Sequence, residues 1–203
     1  EATALVTLCQ VTCDASGELE HGRTIGKVLD GMELSVMDDA DLLLPAGEIG
    51  ELVMRGPNVM AGYYNAPQDT VEALRDGWLH SGDIGYVDEE GYAFIVDRKK
   101  DVIIRGGQNI YPADIEEVIY GIDGVAEAAV IAQHDDMLGE VPVAFVALRP
   151  GVCVTEAAIR DQCEALLASY KLPRAIHFLD ELPKGPTGKI LRRALRDRAT
   201  TAA

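Results

Sequence analysis

Lys189 is the residue whose surroundings first suggest chemistry. It lies in LPKGPTGKILRR, residues 182–193, where prolines and glycines constrain the chain ahead of a basic segment. A Walker A loop has the pattern G-x-x-x-x-G-K-[ST], whose backbone cradles phosphates and whose last hydroxyl holds magnesium. Pro183 takes the place of the first glycine and Ile190 that of the hydroxyl, so the pattern is not met. Lys189 is therefore either a solvated charge at the start of a helix or a catalytic group on a loop.

A carboxylate and a guanidinium are spaced to meet across a hairpin. Asp83 follows a Ser-Gly pair in WLHSGDIG, and Arg98 comes fifteen residues later in DRKKD. The alternating runs DIGYVD and YAFIVD, joined by EEG, predict a β-hairpin with Gly91 in its turn. The pair could bind the two hydroxyls of a ribose, or it could be a surface ion pair worth ~0–1 kcal/mol. These residues alone favour the ion pair.

Gly106 and Gly107 form a second candidate site in RGGQN. The run VIIRGGQNIYP predicts two short strands joined at these glycines. Adjacent glycines in a hairpin either make the turn or let a ligand pass close to the backbone, as a narrow tunnel would require.

Composition and charge narrow the function classes. The chain has 203 residues, 48% of them hydrophobic and 26% charged, which is typical of a soluble globular protein. The net charge of −16 argues against nucleic acid or an anionic membrane as a partner. From Lys171 onward, however, eight basic residues stand against three acidic ones. This basic tail could meet a small polyanion or simply form a solvated amphipathic helix.

The sequence contains no pattern typical of an exported protein or of a metal site formed by cysteines. An apolar run of the ~18 residues that a membrane span needs is absent from the sequence, and so is a signal-peptide pattern, so we expect a cytoplasmic protein. Cys9, Cys13, Cys153 and Cys163 lack C-x-x-C spacing and are expected to be buried free thiols.

The elements that must position these residues fall into two parts. In the first, GEIGELVMRGP predicts a strand and QDTVEALRDG a helix closed by Gly77. The second part predicts a small α/β domain whose strands are VAEAAVIA, VPVAFVAL and AIHFL. We therefore predict a β-rich part over residues 1–97, a boundary at 98–101 and an α/β domain over 102–203.

Three helices are predicted in the second part. The first is PADIEEVIYG, with Pro112 at its first position. The second is capped by Thr155 and buries a stripe of four residues, and the third is ILRRALRDR. The four predicted stripe residues are Ile159, Cys163, Leu166 and Leu167.

Four stretches, in this order and spacing, resemble the adenylate-forming enzymes, which include acyl-CoA synthetases, luciferase and peptide-synthetase adenylation domains. GEIGELVMRGPNVMAGYYNAP is similar to the family's G-E-L…G…G-Y-x-x-x-P segment, and WLHSGDIG to its T-G-D motif with Ser81 for threonine. DRKKDVIIRGGQNIYPADIEEVI resembles the hinge and the following helix, and LPKGPTGKI the lysine loop. The resemblance covers residues 21–196.

The resemblance implies a two-step reaction and a role for each matched residue. A carboxylate would attack the α-phosphate of ATP to give an acyl-adenylate, and a thiol would attack the acyl carbon after the small domain rotates. Lys189 would reach the carboxylate and the adenylate oxygens. Asp83, helped by Arg98, would bind the ribose hydroxyls, and Asn109 would belong to the nucleotide site. Lys100 would be the hinge residue.

The second substrate and the metal have their own implied residues. Gly106 and Gly107 would line the pantetheine tunnel of CoA, while Lys171 and Arg174 would meet its phosphates. Glu1 would match the glutamate that contributes to the Mg²⁺ site. ATP, Mg²⁺ and CoA are thus the implied cofactors and co-substrates, and the implied partner is a small carboxylic acid.

The resemblance also predicts the overall architecture. The fold class is α/β (α+β), with a mostly-β remnant of a large domain followed by a small α/β domain. The phosphate loop and most of the acid pocket would lie upstream of Glu1, so this chain alone is expected to be inactive. GGQNIYPADIE resembles acyl-CoA ligases most, and the implied function is the C-terminal part of such a ligase. An acyl-AMP ligase that serves a carrier protein and a non-catalytic interaction module stay open as alternatives.

Overall fold

The computed structural model describes residues 2, 6–9 and 22–201, and the chain divides into two compact units, Glu1–Lys100 and Asp101–Ala203. The first unit is built mainly of strands and the second combines strands with helices, which confirms the α/β (α+β) class. The division falls within the segment 98–101 that the charge cluster marks. Bending of that segment as a hinge stays a prediction.

The first unit is an antiparallel sheet with strand order β1-β2-β7-β6-β4-β3, and β5 pairs with β6. A buried cluster of Met37, Val53 and Trp78 packs on it. Its elements are β1 (Thr7–Leu8), β2 (Thr24–Val28), β3 (Glu33–Met37), β4 (Gly50–Arg55), α1 (Pro67–Ala73), β5 (Leu74–Arg75), β6 (Trp78–Val87) and β7 (Tyr92–Arg98).

The predicted helix closed by Gly77 is wrong at its end. The helix α1 stops at Ala73, and Leu74 already has an extended backbone. Asp76 and Gly77 instead form the two-residue turn between β5 and β6, with φ of 48° and 82°. Two successive positive φ angles are those of a type I′ turn, and Asp-Gly is one of the dipeptides that adopt it most readily. The Asp-Gly signal thus belonged to a hairpin.

The second unit is a five-stranded sheet with strand order β10-β11-β8-β9, in which β12 runs parallel to β11. After a 3₁₀ turn at Lys99–Asp101, its elements are β8 (Ile103–Arg105), β9 (Gln108–Ile110), α2 (Pro112–Tyr120), β10 (Val125–Asp135), β11 (Gly139–Leu148), α3 (Glu156–Leu166), β12 (Ala175–Phe178) and α4 (Arg192–Thr201). Pro112 occupies the first turn of α2, as predicted.

Strands β10 and β11 are apolar on both faces because helices cover both sides of the sheet. Alternate residues along each strand belong to two separate buried clusters, as the two-residue period of a strand requires. One cluster contains Ala128, Val130, Ala144 and Val146 together with residues of α2 and α3. The other contains Ala129, Ile131, Val143 and Phe145 together with Leu195 and Ala199 of α4.

The helix α3 confirms its predicted cap and corrects its predicted stripe. The Thr155 side chain accepts a hydrogen bond from the Ala158 amide at 3.2 Å. Ile159 and Cys163 are fully buried, but Leu166 is 62% exposed. The helix ends at Leu166, and the next residue, Leu167, becomes extended and packs against the core instead.

Candidate functional site

The Ser-Gly-Asp stretch forms a bulge in β6. The pairing of β4 with β6 passes from Glu51 opposite Ile84 to Val53 opposite His80, so Ser81–Asp83 lie across from a single residue, Leu52. Ser81 Oγ donates to the Leu52 carbonyl at 2.6 Å and accepts from the Asp83 amide at 3.0 Å. Bulges of this kind re-aim a side chain and are common beside active sites.

Asp83 and Arg98 are direct cross-strand partners on β6 and β7, where the spacing predicted them to meet. Arg98 Nε lies 2.7 Å from Asp83 Oδ1, with the two side chains 57% and 21% exposed. Both residues line a cavity of about 260 Å³. The two side chains therefore form the ion pair that was expected from the sequence. The Asp83 carboxylate also lies at a cavity, where a ligand hydroxyl could reach it.

Lys189 lies on a hydrogen-bonded loop ahead of α4, which begins three residues later at Arg192. The Gly185 amide donates to the Lys189 carbonyl at 2.8 Å, and the Leu191 amide donates to the Pro183 carbonyl at 2.8 Å. The Lys189 side chain is exposed and has no hydrogen bond or ion pair with any residue that the structure describes. The loop therefore presents its ammonium group to solvent.

Lys184, on the same loop, behaves differently. Its ammonium contacts Glu127 at 2.6 Å and Glu181 at 3.2 Å. These hydrogen bonds, first to Glu127 and then to Glu181, raise the pKa of Lys184. Of the two lysines, Lys189 alone presents an unpaired ammonium in the described part of the chain.

The glycine pair forms the turn between β8 and β9. Arg105 pairs with Gln108, and Gly106 and Gly107 have φ of 58° and 82°, again the values of a type I′ turn. A Cβ built at either glycine would have no atom within 4 Å. The turn thus explains both glycines without a ligand, and the predicted tunnel stays a prediction. Asn109 is exposed on β9, opposite Ile104.

The two basic residues predicted to meet CoA phosphates already contact carboxylates. Lys171 Nζ lies 2.5 Å from Asp114 Oδ2, and Arg174 Nη1 lies 3.7 Å from Asp135 Oδ2. Burial alone would lower the pKa of Lys171, but its hydrogen bond with Asp114 leaves the pKa raised. Arg174 is the more exposed of the two. Their role in binding CoA stays a prediction.

A buried charged cluster around Glu51 was not predicted from the sequence. Glu51 is only 5% exposed, and its Oε2 contacts His80 Nδ1 at 3.0 Å and Lys99 Nζ at 3.1 Å. Arg75 Nη2 lies 2.7 Å from the same His80 nitrogen. With other residues, these four line an open cleft of about 850 Å³. One sequence signal could have predicted this cluster. In the predicted strand, Glu51 lies on the same face as the apolar Val53, and a carboxylate on a buried face needs polar partners.

Burial by itself would raise the pKa of Glu51. Hydrogen bonds from His80 and Lys99, and from the Gly82 amide, outweigh that effect and hold the pKa below its ordinary value. Likewise, burial would lower the pKa of Lys99, but hydrogen bonds with Asp39 and Glu51 leave it raised. Both partners are therefore charged at neutral pH.

The metal site implied by the sequence involves Glu1. Glu1 lies outside the described residues, and within them no group of three or more His, Cys, Asp or Glu side chains could hold a metal ion. Cys163 is a buried free thiol, as expected, but Cys9 and Cys153 are exposed free thiols, so the prediction of burial is wrong for these two. Cys13 lies outside the described residues. No helix in the described part of the chain is long and apolar enough to cross a membrane.

Comparison with known proteins gives a consistent assignment. Residues 1–64 match the model of the AMP-binding enzyme family, and residues 114–189 match the AMP-binding enzyme C-terminal domain. A 2-succinylbenzoate–CoA ligase of Bacillus cereus is 50% identical over 185 residues, which are 91% of this chain and 38% of the ligase. The chain belongs to the AMP-binding enzyme family.

Solved structures of AMP-binding enzymes have the same fold. ATP-bound MatB from Rhodopseudomonas palustris is 35% identical, with a TM-score of 0.83 over 91% of this chain and 37% of MatB. The o-succinylbenzoate CoA synthetase MenE from Bacillus subtilis, in complex with its acyl-adenylate intermediate, is 38% identical, with a TM-score of 0.79 over 86% of this chain and 36% of MenE. The adenylate-forming resemblance is thereby confirmed. The chain spans less than two fifths of each relative.

Proposed function

We propose that this chain is the C-terminal part of an ATP-dependent acyl-CoA ligase. The observation that carries the proposal is the unpaired ammonium of Lys189 on a hydrogen-bonded loop, in a chain of the AMP-binding enzyme family. To bind an anionic ligand, the ammonium group must be accessible and must not already be paired with a carboxylate, and Lys189 meets both conditions among the described residues. The identity of 50% to a 2-succinylbenzoate–CoA ligase supports the same reaction class.

The proposed first step joins the acid to AMP. A carboxylate oxygen attacks the α-phosphorus of ATP, a new P–O bond forms, and pyrophosphate leaves with the electrons of the broken bond. Negative charge accumulates around the carboxylate and the α-phosphate, and the positive charge of Lys189 would stabilise it there. Asp83 would accept hydrogen bonds from the ribose hydroxyls, Arg98 would hold the Asp83 carboxylate in place, and Asn109 would lie nearby in the nucleotide site.

The proposed second step transfers the acyl group to CoA. The thiol sulfur attacks the acyl carbon, the carbon–oxygen bond to the phosphate breaks, AMP leaves, and the thiol proton passes to solvent. Rotation of the second unit about Lys100 would move Lys189 away from the reacting carbon and bring the β8–β9 turn to it. Gly106 and Gly107 would then border the pantetheine, and Arg174, with Lys171, would meet the CoA phosphates. Mg²⁺ would accompany ATP, with Glu1 as its proposed ligand.

Partners and location follow from the substrates. The proposed partners are a small carboxylic acid, ATP and CoA, together with the remainder of the large domain. We also propose a cytoplasmic location, because the substrates ATP and CoA occur there and free thiols such as Cys153 are typical of a reducing compartment.

A pyrophosphate-exchange assay on the full-length protein tests the proposal. The assay measures acid-dependent incorporation of labelled pyrophosphate into ATP across a panel of carboxylic acids, beginning with 2-succinylbenzoate. We expect exchange with at least one acid, followed by thioester formation when CoA is added. Exchange without a CoA thioester, but with transfer to a carrier protein, would favour the acyl-AMP ligase. Absence of exchange with every acid, in a protein that is folded by circular dichroism, would favour a non-catalytic module.

A further inference from the structure

The segment proposed as the hinge has a charged residue on either side of Lys100, and each contacts a different partner. Lys99 Nζ lies 3.1 Å from buried Glu51 Oε2 and 3.1 Å from exposed Asp39 Oδ1, and both carboxylates belong to the first unit. Asp101 Oδ1 lies 2.7 Å from Arg196 Nη2, which belongs to the second unit. The Lys100 side chain is exposed and has no hydrogen bond or ion pair within the described residues.

Glu51 is a firm attachment for Lys99 because the carboxylate is fixed from several directions. Oε1 accepts from the Gly82 amide at 3.0 Å, and Oε2 contacts His80 Nδ1 at 3.0 Å. A buried carboxylate that lost a partner would be left with an uncompensated desolvation cost, so breaking the Glu51–Lys99 contact is unfavourable. Through Gly82, the same carboxylate also stabilises the bulge that carries Asp83.

Arg196 is a comparable attachment for Asp101. The Asp101 side chain is only 8% exposed, and the contact with the guanidinium offsets the cost of removing the carboxylate from water. Arg196 lies on α4, next to Leu195, which is fully buried in the core of the second unit. The ion pair thus ties the end of the 3₁₀ turn to a helix that packs on the sheet.

We propose that Lys99 and Asp101 are positioning residues that anchor the two ends of the hinge and confine the backbone rotation to Lys100. The proposal rests on the proposed function, because the rotation is part of that function. Hinges absorb their change in φ and ψ at a few positions, and here the ion pairs leave Lys100, the middle residue of the 3₁₀ turn, as the residue whose side chain is not attached to either unit. Since Arg98 precedes the anchored Lys99, the Asp83–Arg98 pair would keep its geometry while the second unit moves.

Amide hydrogen exchange on this chain tests the anchors without any need for activity. Glu51→Gln keeps a carbonyl oxygen for the Gly82 amide but removes the buried charge that holds Lys99, so that only the exposed Asp39 remains as its ion-pair partner. Asp101→Asn removes the buried charge beside Arg196. We expect protection factors of the amides in residues 99–102 to fall by about tenfold in either variant, because local opening controls this exchange. If Glu51→Gln does not fold, Lys99→Met breaks the same pair from its more exposed side.

Two exposed ion pairs provide matched controls. Glu33→Gln breaks the contact of Glu33 with Arg55 in the first unit, and Glu156→Gln breaks the contact of Glu156 with Arg160 in the second. These variants remove the same charge and should leave the protection of residues 99–102 unchanged. Equal protection in the anchor variants and in the controls would overturn the proposal.

The full-length ligase gives a second readout that a purely structural role would not move. Loss of an anchor should lower the ratio of thioester formation from supplied acyl-adenylate to adenylation by about tenfold. Lys99→Arg should preserve the ratio and Lys99→Met should not. A proportional loss of both half-reactions would contradict the anchor role. Absence of adenylation in the unmodified protein would instead overturn the proposed function, and the exchange measurement would still decide on the anchors.

Discussion

The proposed role of Lys189 depends on the hydrogen-bonded loop that carries it. Backbone hydrogen bonds join Gly185 to Lys189 and Pro183 to Leu191, and Gly188 adopts a φ of 79° that favours glycine. The loop thus has a defined shape, although its lysine side chain contacts no other described residue. The loop therefore fixes the backbone of Lys189, and only the side chain has to become ordered when negative charge develops beside it.

Lys189→Ala in the full-length enzyme should lower the rate of adenylation by ~10²–10³, or ~3–4 kcal/mol of transition-state stabilisation. Thioester formation from supplied acyl-adenylate and CoA should remain near normal, because the rotation would carry Lys189 away. The measurements are pyrophosphate exchange and single-turnover thioester formation. Lys184→Ala, which removes a carboxylate-paired lysine from the same loop, is the control and should have little effect on either rate. Equal damage to both half-reactions by Lys189→Ala would indicate a folding role.

Glu51 should make the first unit sensitive to acid. Its pKa lies below the ordinary value of 4.5 in the folded protein, so the folded state favours the carboxylate. The stabilisation is complete above the unfolded pKa and is lost as the pH falls through the lowered folded pKa. We therefore expect the free energy of unfolding to decrease below about pH 4.5, with a shallower decrease in Glu51→Gln.

Trp78 reports this transition selectively, because it is the single tryptophan of the chain and is buried in the first unit. The measurement is urea unfolding followed by its fluorescence at several pH values. Glu48→Gln, at an exposed position, is the matched control and should keep the wild-type pH dependence. An identical dependence in Glu51→Gln and wild type would exclude Glu51 as a source of the acid sensitivity.

At the scale of elements, the β8–β9 turn separates two explanations of its glycines. Asn-Gly is among the most favourable dipeptides for a type I′ turn, and a side chain at Gly106 would meet no atom of the chain. Gly106→Asn should therefore change the free energy of unfolding by less than ~0.5 kcal/mol. If the pantetheine of CoA passes this turn, the same variant should slow thioester formation while adenylation is unchanged. Normal kinetics with CoA would leave the turn as the only reason for the glycine.

The turns also explain which elements could be predicted. The hairpin of β6 and β7 and that of β8 and β9 were recognised because glycines lie between alternating runs. The end of α1 was not predicted correctly. Asp-Gly after a helical run is typical both of a helix C-terminus and of a hairpin turn, and only the partner strand distinguishes the two. Pairing of Arg75 with Trp78 decides the matter, and pairing depends on residues outside the local window.

At the scale of the whole molecule, the second unit has the core of an independent domain. Two buried clusters cover opposite faces of one sheet. A fragment of residues 101–203 should therefore fold alone, with a cooperative thermal transition by circular dichroism. Within it, Ile159→Ala should cost ~2–5 kcal/mol because it empties a fully buried position. Ile104→Ala, at an exposed position on β8, should cost little. A fragment without cooperative unfolding would contradict the prediction.

The sequence by itself determined the fold class, the order of most elements and the family. Strand alternation, turn glycines and helix caps are local signals, and four ordered motifs identify the adenylate-forming enzymes. The predicted hairpin also placed Asp83 and Arg98 near each other on neighbouring strand ends, but a register shift between Ile84 and Gly85, which counting along the chain does not reveal, makes them direct partners.

Only the tertiary structure decided which charges share partners. Glu51 contacts Lys99, forty-eight residues away along the chain, and Asp101 contacts Arg196 from ninety-five residues away. It likewise showed that Lys171 is paired with Asp114 while Lys189 has no partner among the described residues. Such pairings depend on how strands and helices pack, because residues far apart in sequence become neighbours only when the sheets form.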